Sequence, residues 1–259
     1  MSVMLNKLKR GIPLSVLFIP TLFMFSGCTS EPASKNPTYV AAKVNKAQLT
    51  DEDVFDSNLN HEITEEDIQR AIAQAEQGFV LPARSPVILV QSGATTPDSE
   101  MQLEMSKYYR VSVNSGVPPT KARINRKSDE PVIQNNYMTT LRLVGAKGRQ
   151  KAIIVYWGTL ETGKVDDKTN MTVWSTYTGG KMPSETKSIR YLLRFALVDV
   201  KTGNWVTYSP TNTEREFVQS SFNNQSSAGT QATQIDELKR NAYEFASRDL
   251  STRYEKYSR

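Results

Sequence analysis

Between residues 63 and 79 the apolar positions fall at Ile63, Ile68, Ala71, Ile72, Ala75 and Phe79, the spacing of one helix face. Thr64 stands as N-cap, with Glu65, Glu66 and Asp67 in the first turn and Gly78 as the stop. Ile63 and Ile68 are placed as a hydrophobic staple. A stripe of Ile and Ala is narrow and calls for a single packing partner. From Pro86 the period changes. PVILVQS (86–92) is a short apolar run that predicts a buried strand. Thr96-Pro97-Asp98 then opens a helix, Thr96 as cap and Pro97 in its first turn, with Met101, Met105 and Tyr108 on one face. RVSVN (110–114) alternates as a second strand. A basic, proline-bearing loop leads to a helix over about 134–147, striped by Tyr137, Met138, Leu141 and Val144.

KAIIVYWGTL (151–160) is apolar on both faces, as in a central strand covered on both sides. A polar arm follows, in which MTVWSTY (171–177) reads as a strand and Gly179-Gly180 as a turn. SIRYLLRFALVDV (188–200) predicts a long strand, KTGN (201–204) a hairpin turn and WVTYS (205–209) the return strand. Residues 219–234 are rich in Ser, Gln and Asn and read as a loop. Thr233 then caps a final helix with Ile235, Leu238, Ala242, Phe245, Ala246 and Leu250 on its apolar side. The order is a helix, βαβαβ, antiparallel strands and a long C-terminal helix. It predicts an α/β fold with a mixed sheet and helices packed on it, over residues 80–259.

The amino terminus has a different pattern. Lys7, Lys9 and Arg10 precede an almost wholly apolar run, IPLSVLFIPTLFMF (12–25), and no acid occurs before Glu31. This is the secretory signal pattern. The run is shorter than the roughly 20 residues of a membrane span and holds two prolines. It ends in Phe25-Ser26-Gly27-Cys28, which resembles a bacterial lipobox. The resemblance implies cleavage after Gly27, a signal peptide over 1–27 and acylation at Cys28. That residue is the chain's one cysteine. Thr29 stands where an aspartate would imply inner-membrane retention, so the resemblance implies the outer membrane of a Gram-negative envelope, periplasmic face. Residues 28–60 then read as a lipidated, flexible tether, and 61–79 as the amphipathic helix.

A second resemblance lies in LLRFALVDVKTGNW (192–205) and LRLVGAKGRQKAIIVYWGTLE (141–161). Both are similar to segments of the curli-secretion lipoproteins, of the TolB amino-terminal-like domains and of lipoproteins that activate penicillin-binding proteins. The resemblance implies an α/β domain of the cell envelope. The arm lacks the 9–11-residue lipid-facing strands of a barrel, so no pore is expected.

Charge changes the picture little. The formal +5 of the whole chain includes three basic residues of the signal, and no aromatic-and-basic module points to nucleic acid. The single histidine, His61, lies in an acidic approach to the first helix. With Cys28 committed to acylation, no Cys/His metal set remains, and no cofactor is implied. QSGA around Ser92 lacks the nucleophile-elbow spacing, and GAKGRQK lacks a P-loop ending. Asp166-Asp167 fits a turn. No catalytic residue is assigned. Met171, Val173, Trp174 and Tyr177 form a short amphipathic segment in the arm. It either pairs with the long strand and packs inward or presents an interaction surface. The expectation is a non-enzymatic binding or scaffolding protein, held on the membrane through Cys28 and binding an envelope protein or a peptidoglycan-associated partner. An envelope hydrolase and an oligomeric secretion component are the alternatives.

Overall fold

The computed structural model describes residues 47–55, 62–118, 136–218 and 224–255, with side chains from 229 in the last helix. The lipobox, Cys28 and His61 lie outside them. The elements run α1 (Asp51–Phe55), α2 (Glu65–Ala75), β1 (Pro86–Ser92), α3 (Ser99–Ser106), β2 (Arg110–Gly116), α4 (Tyr137–Lys147), β3 (Ala152–Val165), β4 (Thr172–Thr176), β5 (Ser188–Asp199), β6 (Trp205–Tyr208), β7 (Thr213–Glu216) and α5 (Asn224–Tyr254).

The fold is α/β, with seven strands in one mixed sheet ordered β2-β1-β3-β5-β6. Strand β4 pairs with the outer end of β3, and β7 with the start of β5. β1 lies parallel to both β2 and β3, while β3–β5, β5–β6 and β5–β7 are antiparallel. The predicted βαβαβ, antiparallel strands and long C-terminal helix are all present. Two cores form because the central strands are apolar on both faces. The first holds Leu89, Ile154, Tyr156 and Phe195 under α3 and α5; the second holds Ile88, Ile153, Val155 and Val198 under α4 and α1.

Several boundaries differ from the sequence pattern. Helix α3 begins after an Asp98 cap rather than at Thr96, and the Asp98 side chain makes no capping bond. Helix α5 starts at Asn224, so Thr233 is internal and its hydroxyl donates to the Gly229 carbonyl. The polar turns of 224–233 extend a helix whose apolar stripe begins later, and a pattern read from hydrophobics misses them. Strand β7, TERE, has no apolar signal; it pairs with Ser188–Tyr191, and the adjacent Phe217 supplies the burial.

Helix α2 forms as its sequence dictates. The Thr64 and Asp67 side chains each accept from the other's backbone N–H in a capping box. Yet none of its residues is buried, and Ile68 and Ile72 are 45% and 48% exposed. Residues 47–55, placed by the pattern in the tether, are packed instead: Leu49 and Val54 are 3% and 1% exposed.

The Asp199-Val200-Lys201-Thr202-Gly203 phrase is a structural device. The Asp199 carboxylate accepts from the Thr202 N–H at 2.8 Å and from its hydroxyl at 3.1 Å, and Gly203 takes φ +80°. Burial pushes the Asp199 carboxyl up, but the Lys151 ammonium and the Thr202 N–H outweigh it and hold it below the ordinary value.

Candidate functional site

Helix length decides which part of the sheet stays open. Helix α5, with 31 residues, spans about 46 Å, enough to follow the first face along the whole of β3. Helix α4 has 11 residues and spans about 16 Å. Strands β3 and β5 are 14 and 12 residues long, or about 40 Å and more. Among the described residues, their outer halves on the second face therefore run beyond α4 and α1. That open half presents Trp157, Thr159 and Glu161 of β3 opposite Arg194, Leu192 and Arg190 of β5.

Here the side chains form two Arg–Trp contacts. The Arg194 guanidinium lies 4.2 Å from the Trp157 ring centroid, and that of Arg190 lies 4.2 Å from Trp174. Each guanidinium is also ion-paired: Arg190 to Glu161 at 2.7 Å, and Arg194 to Asp51 of α1 at 2.7 Å. The first pair is mostly covered and the second is exposed. A Cβ at Gly163 would sit 2.7 Å from the Thr172 methyl and 2.9 Å from the Trp174 ring, so glycine makes room for both β4 side chains over β3. Between the two arginines a cleft of about 400 Å³ opens over Thr159 and Leu192. Gln48, Ser209 and Asn212 contribute to its lining. The cleft has a topological cause. β6 pairs with Phe195–Val198 and β7 with Ser188–Tyr191, so the loop between β6 and β7 passes the intervening Leu192–Arg194 without a ladder.

The cleft adjoins the carboxyl end of β1. The β1–α3–β2 connection packs on the first face and the β2–α4–β3 connection on the second. Sheets wound both ways like this take ligands in the crevice at such a switch point. In this chain a segment of the chain itself lies there. The Leu49 N–H donates to the Ser92 hydroxyl at 2.8 Å, and the Trp157 indole N–H donates to the Leu49 carbonyl at 3.0 Å. Downstream, Asn136 donates to the Glu52 carbonyl, and Phe55 packs on Trp205 with ring centroids 4.4 Å apart. Residues 47–55 thus form a strap whose Gln48 lines the cleft and whose Asp51 is held by Arg194.

On the first face a buried polar cluster closes the same end of the sheet. The Asp98 carboxylate accepts from the Tyr243 hydroxyl at 2.6 Å and from Lys239 at 2.8 Å. Tyr243 in turn meets the Tyr191 hydroxyl at 3.0 Å. Gln91 accepts from the Tyr156 hydroxyl and the Asp98 N–H. Burial pushes the Asp98 carboxyl up, but the bonds from Lys239 and Tyr243 prevail and keep it below the ordinary value. Burial drives the Tyr243 and Tyr156 phenols well above theirs. The hydroxyls therefore stay protonated as donors, and the cluster acts as a hydrogen-bonded lock between α3, β3, β5 and α5.

The four arm residues expected on one surface are divided by the strand alternation. β4 pairs with Glu161–Val165 of β3 rather than with β5. Trp174 turns toward Arg190 on the second face, while Met171 and Val173 are 69% and 52% exposed. The Tyr177 hydroxyl donates to the Gly180 carbonyl and accepts from Gln231 of α5, which fastens the arm to that helix. Trp157, Arg190 and Arg194 were not singled out by the sequence. Their signal is two arginines four positions apart on one strand, one opposite an indole of its partner β3 and the other reaching across β3 to an indole of β4. Among the described residues, no group of three or more His, Cys, Asp or Glu could hold a metal ion, and no helix is long and apolar enough to cross a membrane.

Residues 50–253 match the profile of the YafT bacterial lipoprotein family. The chain belongs to that family. The YafT match begins at the strap and ends in the last turn of α5, so it takes in the sheet, the open face and both cores. Membership makes the chain a lipid-anchored protein of the bacterial envelope. A search of curated proteins found no match to it.

Proposed function

We propose that this YafT-family chain is anchored in the outer membrane by acyl groups on Cys28, faces the periplasm, and serves there as a non-enzymatic binding protein. The lipobox Phe25-Ser26-Gly27-Cys28 and the absence of an aspartate at Thr29 support the anchor and its membrane. The resemblance of 141–161 and 192–205 to envelope-lipoprotein domains supports the setting. One observation carries the binding role: the described residues leave half of a sheet face uncovered, with two guanidiniums over two indoles around a cleft. Arginine and tryptophan in a partly desolvated setting are the residue types that dominate recognition energies. Residues 28–46 act as the tether, with a span of about 25 Å if they behave as a coil. Lipid and tether together hold the open face at high effective concentration near the membrane.

Two measurements test this. Metabolic labelling with a clickable palmitate, followed by density separation of the membranes, should place the label in the outer membrane and lose it in Cys28→Ser. A photo-crosslinking amino acid at Thr159 should trap envelope material in intact cells, and one at Glu66 on α2 should not. An unlabelled wild type overturns the anchor, and equal trapping at both positions overturns the open face as the binding site.

A further inference from the structure

We propose that the cleft between Arg190 and Arg194 binds a carboxylate-bearing amino sugar of the cell-wall glycan, and that Asp51 occupies the ligand carboxylate's place on Arg194 in the chain alone. This rests on the envelope-binding reading above and names the ligand class for the same site.

The lining is the first argument. Sites for apolar molecules are lined mostly by hydrophobic side chains. Apart from Gln48 of the strap, hydroxyls at Thr159 and Ser209 and an amide at Asn212 surround Leu192 and the Trp157 indole. Hydroxyls and amides suit a ligand with many hydroxyl groups. Indole is an amphipathic wall that accepts the C–H edge of a ring while its N–H stays bonded. The volume, about 400 Å³, falls in the range of small-ligand sites.

The second argument is charge. Both guanidiniums lie over an indole, 4.2 Å from its centroid, and each keeps a planar fork that pairs with a carboxylate. They differ in their present partners. Glu161 is covered and lies across the ladder from Arg190, so that pair is part of the sheet. Asp51 is 64% exposed and comes from the strap. Exposed ion pairs contribute little to stability, so a ligand carboxylate replaces Asp51 at small loss. The structure thus shows a carboxylate already seated on Arg194, borne by a segment that lies at the switch-point crevice.

The third argument is coupling. Arg194 rests on Trp157, and Trp157 donates to the Leu49 carbonyl. A ligand that takes Arg194 from Asp51 removes one of the bonds that retain α1 and bears on the indole that holds Leu49. Ligand and strap oppose each other, and the opposition is reciprocal.

The test uses the full lipidated chain in detergent micelles, titrated calorimetrically at low salt. The probes are N-acetylmuramic acid, N-acetylglucosamine as its neutral counterpart, and the free stem peptide of the wall, whose carboxylates are not on sugar. N-acetylmuramic acid should bind and the other two should not. Arg194→Gln should weaken binding by about tenfold or more, the scale of a lost charged hydrogen bond. Asp51→Asn should strengthen it several-fold by removing the competitor. Bound sugar should speed amide hydrogen exchange in residues 47–55 and leave β1 and β3 unchanged. Binding of the neutral sugar alone, of the peptide alone, or of none of the three overturns the proposal. So does an affinity for N-acetylmuramic acid that Arg194→Gln leaves unchanged. A weakened or unchanged affinity in Asp51→Asn overturns the competition. A chain that is palmitoylated and crosslinks through Thr159, yet binds no acidic sugar, retains the envelope-binding reading and loses this one.

Discussion

Two glycines on β3 show how single residues set the surfaces of this sheet. A Cβ at Gly158 would lie 2.1 Å from the Tyr191 hydroxyl. Glycine there lets the phenol cross β3 and reach Tyr243. Gly158→Ala is expected to cost about 1–3 kcal/mol by overpacking, read as a lower urea midpoint. Gly163→Ala should act differently, because the clash falls on the Thr172 methyl and the Trp174 ring, both on the edge strand β4. Its expected result is a changed tryptophan emission with a smaller stability loss. Asp98 supplies a pH test. Its folded carboxyl lies below the ordinary value of 3.8. A depressed carboxylate stabilises above its unfolded pKa, and that contribution is lost as pH falls through the folded one. Asp98→Asn should therefore destabilise at pH 7 by about 1–3 kcal/mol, the scale of a charged hydrogen bond. It should also flatten the acid limb below about pH 4 in urea midpoints measured from pH 7 to 2. A parallel acid limb in the variant would assign that region to other carboxylates, Asp199 first among them.

Elements differ in how far their sequence reveals them. Strands β1, β3 and β5 are legible because apolar residues fill both faces, and α2 because cap, acids and stripe agree. The strap is not, since Leu49, Val54 and Phe55 stand among acids and polar residues at spacings of five and one, which fit neither a helix stripe nor a strand alternation. Strand β7 and the first turns of α5 are hidden for a related reason: their pairing and length come from neighbours, not from their own hydrophobicity. The open face was illegible because it is an absence of cover, fixed by the 11 residues of α4 against the 14 of β3. The polar lock joins residues up to 145 positions apart, a distance that periodicity does not reach. The two N-terminal helices make a direct contrast. Ile72→Ala removes a side chain that packs on no core, so it is expected to shift the unfolding free energy by no more than about 0.5 kcal/mol. Leu49→Ala removes a buried side chain, for which about 2–5 kcal/mol is the usual cost. That loss should appear first as faster hydrogen exchange in 47–55, because the strap is held to the sheet by few bonds and detaches before the sheet opens.

At the scale of the molecule, anchor and domain answer to different parts of the sequence. The described fold lies within 47–255, and the proposed attachment lies outside it, at Cys28. The two should therefore be separable. Cys28→Ser is expected to move the protein from the membrane pellet to the soluble periplasmic fraction, with the urea midpoint of the domain unchanged. The strap adds a length to this arrangement. On the proposed reading, the tether ends before the strap while Leu49 is held, and strap detachment lengthens it by residues 47–55. Root-mean-square span grows only with the square root of length, so the change in reach is modest. The change in what is presented is larger, because detachment uncovers Ser92 and Trp157 at the carboxyl end of β1. A chain locked by a Leu49→Cys/Ser92→Cys disulfide, made in the Cys28→Ser background, should hold the strap on β1. Relative to the same variant after reduction, it should bind N-acetylmuramic acid more weakly. Equal affinity in the two redox states would mean that the strap is a fixed part of the second core and takes no part in binding.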